Sequence, residues 1–181
     1  MQLISRAGVS PKSRVIDVGG GDSTLVDDLL GMGLEQLTVL DISSLALTRA
    51  RNRLGGMAGK VNWMEADVTQ AQLLSSHFDV WHDRAVFHFL TRPSARSAYA
   101  KLLGRALRPG GFAVVATYAP DGPERCSGLP TMRYSPEELL AELGSDFSLI
   151  AAEREEHVTP AGVVQPFVYC LLQGRPGSPT T

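Results

Sequence analysis

Cysteine is scarce: Cys126 and Cys170 are the only two in 181 residues, and neither belongs to a C-x-x-C pair or a His/Cys cluster at metal-ligand spacing. No metal site is therefore expected. Neither sign of charge is in excess, since 17 basic and 19 acidic side chains give a formal net charge of −2. Without a basic stripe the chain has no electrostatic footprint for duplex nucleic acid or an anionic bilayer, so no stable nucleic-acid complex is expected. No apolar run approaches the roughly 18 residues of a membrane span, and Met1 to Arg6 lacks the basic-then-apolar layout of a secretory signal. A cytoplasmic protein is the expectation. Apolar residues make up 44% of the chain, and a chain this long buries roughly 70% of its unfolded surface in one core, which rules out global disorder.

Short apolar runs alternate with helix-period segments, the pattern of βα units around a parallel sheet. Strands are expected at 14–19, 37–42, 61–68, 78–82 and 112–118, with helices at 22–30, from Ser43 or Ser44 to Leu54, and 93–107. Arg108-Pro109-Gly110-Gly111 reads as a tight turn into the fifth strand. An irregular stretch follows over 119–133. Ser135-Pro136-Glu137-Glu138 then opens another helix, with a cap, a Pro at the first turn and acidic residues at the positive dipole end. Two last strands, 147–154 and 166–172, are joined by a turn near 159–162, so the final strand is antiparallel. Residues 1–173 form one domain in this reading, and 174–181 a frayed tail.

Asp17-Val18-Gly19-Gly20-Gly21-Asp22-Ser23 carries the first strand into a helix through a glycine-rich turn, where the backbone can approach a ligand with no Cβ in the way. Asp41 ends the second strand 20 residues after Gly21, the spacing at which a carboxylate grips the ribose of an adenosine cofactor. A dinucleotide fingerprint asks for Gly or Ala where Thr24 stands, and Asp17 and Asp22 would face a pyrophosphate with like charge. A cationic ligand suits the loop better. S-adenosylmethionine carries a sulfonium and an ammonium and no phosphate.

Val15-Ile16-Asp17-Val18-Gly19-Gly20-Gly21 resembles motif I of the class I (Rossmann-like) S-adenosylmethionine-dependent methyltransferases. Asp41, Glu65-Ala66-Asp67-Val68, Phe78-Asp79-Val80-Trp81-His82-Asp83-Arg84 and Leu107-Arg108-Pro109-Gly110-Gly111 match later motifs in order, so the resemblance spans about residues 14–173. Within the family it is closest to small bacterial members with the His82 to Leu90 segment and Cys126-Ser127-Gly128-Leu129-Pro130. It implies an α/β Rossmann-like three-layer sandwich whose mostly parallel seven-stranded sheet has its last strand antiparallel. It also implies methyl transfer from S-adenosylmethionine, leaving S-adenosylhomocysteine, to a small-molecule nucleophile at S, Se/Te, N or O. The implied cofactor site is Asp17, Gly19, Gly20, Gly21, Ser23, Asp41, Ile42, Asp67, Val68 and His82, with His82, Asp83 and His88 as catalytic residues on the acceptor side. Family members carry several dozen residues before the first strand as a lid, whereas 13 precede Arg14 here. An open cofactor side, covered by a second copy in a homodimer, is the resulting expectation.

Plainer readings stand beside these. Asp67 caps a strand end; His82 and Asp83 form a structural pair; His88, between two phenylalanines, is a packed imidazole; and Glu153-Arg154-Glu155-Glu156 is a solvated strand end. A protein-lysine methyltransferase, a cofactor-binding remnant without turnover and an NAD(P)-dependent oxidoreductase are the rival functions.

Overall fold

The computed structural model describes residues 2–159 and 162–175. Five strands alternate with helices: β1 (Arg14–Val18), β2 (Gln36–Asp41), β3 (Val61–Glu65), β4 (Phe78–Arg84) and β5 (Leu107–Tyr118). A two-residue hairpin, β6 (Arg125–Cys126) and β7 (Leu129–Pro130), follows, and then β8 (Phe147–Val158) and β9 (Val164–Gly174). Seven strands form one sheet in the order β3-β2-β1-β4-β5-β9-β8. Only β9 runs against the rest, antiparallel to both β5 and β8.

Alternation along each strand divides the core between two faces. Val15, Val39, Val80, Val114 and Leu171 pack under α1 (Gln2–Arg6), α2 (Leu25–Gly31) and α3 (Ser44–Leu54). Ile16, Trp81, Ala113, Val115 and Leu172 pack under α4 (Pro93–Ala106) and α5 (Pro136–Leu143). The expected three-layer α/β sandwich is the fold found. Ser43 caps α3 by accepting from the Ala46 N–H, and Ser135 with Glu138 closes a reciprocal capping box on α5.

Boundaries move where side chains compete with helix formation. The helix expected from Asp22 begins at Leu25, as α2, because Asp22 is pulled to Arg49 (2.5 Å) and the Ser23 hydroxyl accepts from the Leu25 N–H (3.1 Å). The strand β5 starts at Leu107 and contains the Pro-Gly-Gly turn as an irregularity in its pairing with β4, Gly110 taking φ +72°. Gly174 is paired with Phe147, so the expected fraying does not begin there. Residues 176–181, and Pro160 and Ala161 of the expected turn, lie outside the described residues.

Candidate functional site

In an open parallel α/β sheet, ligands bind beyond the carboxyl ends of the strands where the strand order reverses, here between β1 and β4. The expected cofactor residues gather at that edge. Gly19 leaves β1 with φ +73°, and a Cβ on it would lie 2.1 Å from Val86 Cγ2. A Cβ on Gly20 would meet Asp17 Oδ2 at 2.3 Å, so this glycine is what lets the Asp17 carboxylate sit beneath the loop. Asp41 accepts from the Gly21 N–H (3.0 Å) and the Ser43 N–H (2.8 Å), tying the loop to the start of α3. Ile42, the next residue, is 71% exposed, an apolar side chain beside the ribose-type carboxylate.

Asp67 follows β3 and accepts from the Thr69 N–H (2.8 Å) and hydroxyl (2.7 Å), bonds that hold its carboxyl below the usual range. It caps its own turn, with buried Val68 behind it. The Ser23 hydroxyl is engaged at the start of α2, accepting from the Leu25 N–H.

Asp17 is 3% exposed, and its Oδ1 lies 2.7 Å from Nδ1 of His82 on the neighbouring strand. A carboxylate only accepts, so Nδ1 carries the hydrogen, and in the neutral imidazole Nε2 is left with a lone pair. The other carboxylate oxygen, Asp17 Oδ2, is buried with no hydrogen-bond partner. Buried polar atoms are rarely left so, and an unpartnered anionic oxygen at a ligand-binding edge is suited to a cation.

Asp83 and His88 do not join this group. Side chains alternate along β4, so Asp83 points to the opposite face from His82, where it is 0% exposed. Its oxygens accept from the Val86 N–H (2.9 Å), the Phe87 N–H (3.1 Å) and the Tyr99 hydroxyl (2.6 Å). Burial pushes its pKa up to about 6 despite these bonds. Asp83 is thus an internal anchor that fixes the turn after β4, including Ala85 at φ +68°. His88 is also 0% exposed, edge-on to Phe89 and tilted against Tyr118 with ring centroids 4.5 Å away in each case, and burial lowers its pKa to about 4. It is the packed imidazole of the plainer reading.

One cavity lies at the opposite end of the sheet and another beside this edge. The larger, about 420 Å³, is lined by Arg14, Gln36 and Val61 at the amino ends of the strands, away from the glycine loop. The smaller, about 270 Å³, lies between α1 and the sheet and includes His82, Glu153, Glu155 and Tyr169. Glu153 and Glu155 read from sequence as a solvated strand end. Their place beside His82 depends on the register of β8 on β9 and of β9 on β5, which local pattern does not encode. No described helix is long and apolar enough to cross a membrane.

Comparison with known proteins agrees with this geometry. Residues 15–111 match the model of a methyltransferase domain. An uncharacterized methyltransferase of Mycobacterium tuberculosis is 32% identical over 104 residues, 58% of this chain and 50% of that protein. An eEF1A lysine and N-terminal methyltransferase of Danio rerio is 28% identical over 114 residues, 61% of this chain and 16% of that protein. The chain therefore spans half or less of the length of these curated relatives. Among solved structures, a methyltransferase from Methanosarcina mazei superposes with a TM-score of 0.76 at 17% identity, covering 96% of this chain and 98% of that one. A 1,6-didemethyltoxoflavin-N1-methyltransferase from Burkholderia thailandensis, with S-adenosylhomocysteine bound, gives 0.73 at 21%, covering 96% and 75%. With the match over more than half its length, the chain belongs to the methyltransferase-domain family, whose cofactor is S-adenosylmethionine.

Proposed function

We propose that this chain transfers a methyl group from S-adenosylmethionine to a small-molecule nucleophile at the carboxyl edge of its sheet. The observation that carries the reading is the unpartnered, buried Oδ2 of Asp17 beneath a loop whose glycines leave no Cβ in the way. In this reading that oxygen takes the cofactor's ammonium, Asp41 holds the ribose hydroxyls, Ile42 lies along the adenine, and Asp67 and Val68 close its far side. The bound cofactor supplies a methyl carbon already activated by its sulfonium. What remains for the protein is alignment, exclusion of water and, for a protonated acceptor, a base. His82 is the group for that last task, oriented by Asp17 through Nδ1–H.

Calorimetry with S-adenosylhomocysteine tests the cofactor site. One saturable site is expected, weakened about tenfold or more in Asp41→Ala, because both oxygens that order the loop and meet the ribose are removed. Undiminished binding by that variant would overturn the assignment.

We carry the second copy forward as part of the proposal. Leu129, Val158, Val163 and Val164 are exposed apolar side chains on the two hairpins that project at the carboxyl edge. Light scattering is expected to give a dimer mass, and a monomer at all concentrations would remove this element.

A further inference from the structure

The cavity of about 270 Å³ under α1 has an apolar floor of Leu3, Ile4 and Val114 and a polar rim of His82, Glu153, Glu155 and Tyr169. Glu153 and Glu155 stand two apart on β8 and so share a face, and Glu153 is directly opposite Tyr169 on β9. The charged groups around this rim come from three strands and one helix. Arg6 of α1 pairs with Glu153 at 3.3 Å. Arg154 also lines the cavity, its guanidinium neutralised by Asp121 at 2.7 Å. Arg84 of β4 lies over the Phe167 ring at 5.5 Å. Asp17 of β1 holds His82. Among the described residues, Glu155 has no ion pair within 4.0 Å. Burial, opposed by Arg84 and reinforced by Glu155, raises the Tyr169 phenol, which therefore stays a neutral hydrogen-bonding group.

The imidazole of His82 is the wall shared between this cavity and the cofactor loop. An anionic acceptor entering here would face Glu155 with like charge; an ammonium would be attracted by it and would shed its apolar body onto Leu3, Ile4 and Val114. We propose that this cavity is the acceptor site and that the acceptor is a small amine, entering as its ammonium ion with Glu155 as the recognition carboxylate. The proposal rests on the cofactor reading above and narrows it from any small nucleophile to nitrogen. The step balances as follows. One N–H proton of the ammonium passes to Nε2 of His82, freeing the nitrogen lone pair. That pair forms the new C–N bond as the bond from the methyl carbon to sulfur breaks, and its electron pair remains on sulfur as a thioether. The positive charge acquired by the imidazole is stabilised by Asp17 across the Nδ1–H bond.

The test uses the intact chain saturated with S-adenosylhomocysteine and three isosteric probes: benzylamine, benzyl alcohol and benzyl mercaptan. Calorimetry is expected to show benzylamine binding at least about fivefold more tightly than the other two, with shifts of the Val114 and Tyr169 amide signals in 15N spectra. Glu155→Gln should weaken benzylamine about fivefold, the upper range for a solvent-accessible charge pair. Glu156→Gln, altered on the other face of β8, should leave its affinity unchanged. Equal or tighter binding of the alcohol or mercaptan overturns the proposal, and so does benzylamine binding insensitive to Glu155→Gln. Absence of benzylamine binding while S-adenosylhomocysteine still binds overturns it and leaves the cofactor site standing. Absence of S-adenosylhomocysteine binding overturns both.

Discussion

Asp83→Asn is expected to lower the unfolding free energy at pH 7 by about 3 kcal/mol or more, because the amide turns an acceptor into a donor facing hydrogens it cannot accept. Oδ2 of Asp83 takes both the Phe87 N–H and the Tyr99 hydroxyl, and Tyr99 in turn accepts from the Trp81 indole at 2.9 Å. The damage should not stay local. Val86 is held by Oδ1 and packs where Gly19 has no side chain, so a shift in the turn reaches the cofactor loop. Urea titration should show the stability loss, and calorimetry a weaker cofactor site. A variant as stable as the parent would mean that this buried network is not an anchor.

The same anchor has a pH signature that its neighbour conceals. With a folded pKa of about 6, Asp83 keeps its proton in the native state between about pH 4 and 6 while the unfolded chain releases it. Stability from this group therefore falls as pH rises through that window, by about 3 kcal/mol. His88, lowered to about 4, behaves oppositely: the unfolded imidazole takes a proton that the native one refuses. Its contribution is present above about pH 6.5 and is lost as pH falls toward 4, again by about 3 kcal/mol. The two offset each other in the parent. His88→Phe also removes two buried nitrogens that have no partner, so it should fold and keep any turnover. Its stability advantage over the parent should grow from pH 7 to pH 4.5. Parallel curves would overturn the linkage, and loss of turnover would return His88 to the acceptor side.

The second large effect is on ligand affinity. Gly20→Ala puts a methyl 2.3 Å from Asp17 Oδ2 and 3.1 Å from Val39, so the carboxylate has to move. Asp17→Asn keeps the shape and removes the charge. Either is expected to weaken S-adenosylhomocysteine roughly 100-fold, about 3 kcal/mol, in the range found when one partner of a buried charge pair is lost. Asp17→Asn carries a second readout, because the amide no longer dictates which imidazole nitrogen holds the hydrogen. Nitrogen-15 spectra of His82 should change from a single Nδ1–H tautomer to a mixture. Unchanged spectra would deny Asp17 its positioning role.

Much of this was legible in the sequence. The βα alternation gave the architecture, and the glycine turn after Asp17 and the carboxylate of Asp41, paired from their spacing, do meet through the Gly21 N–H. Adjacent residues on a strand face opposite ways, so the period-2 rule also places the His82 and Asp83 side chains on opposite faces of β4. What stayed hidden was long-range. The pairing of Glu153 with Tyr169 and of Tyr169 with Ala116 is set by how β9 reverses across β5, and nothing near residues 153–156 announces it. The start of α2 was hidden for the same reason, since Asp22 reaches forward 27 residues to Arg49.

The contact between Asp17 and His82 also has a meaning for how the chain comes together. These residues are 65 apart in sequence and lie on the seam where β1 meets β4, joining the β3-β2-β1 half of the sheet to the β4-β5-β9-β8 half. Closing so long a loop costs entropy before any pairing repays it, so this seam is slow to form relative to the β1–β2, β2–β3, β4–β5 and β8–β9 pairs, whose partners lie much closer in sequence. The ammonium site proposed at Asp17 depends on that seam being closed. A ligand held there acts as a clasp across the joint, adding about 2.7 kcal/mol to the closed form at a concentration one hundred times its dissociation constant.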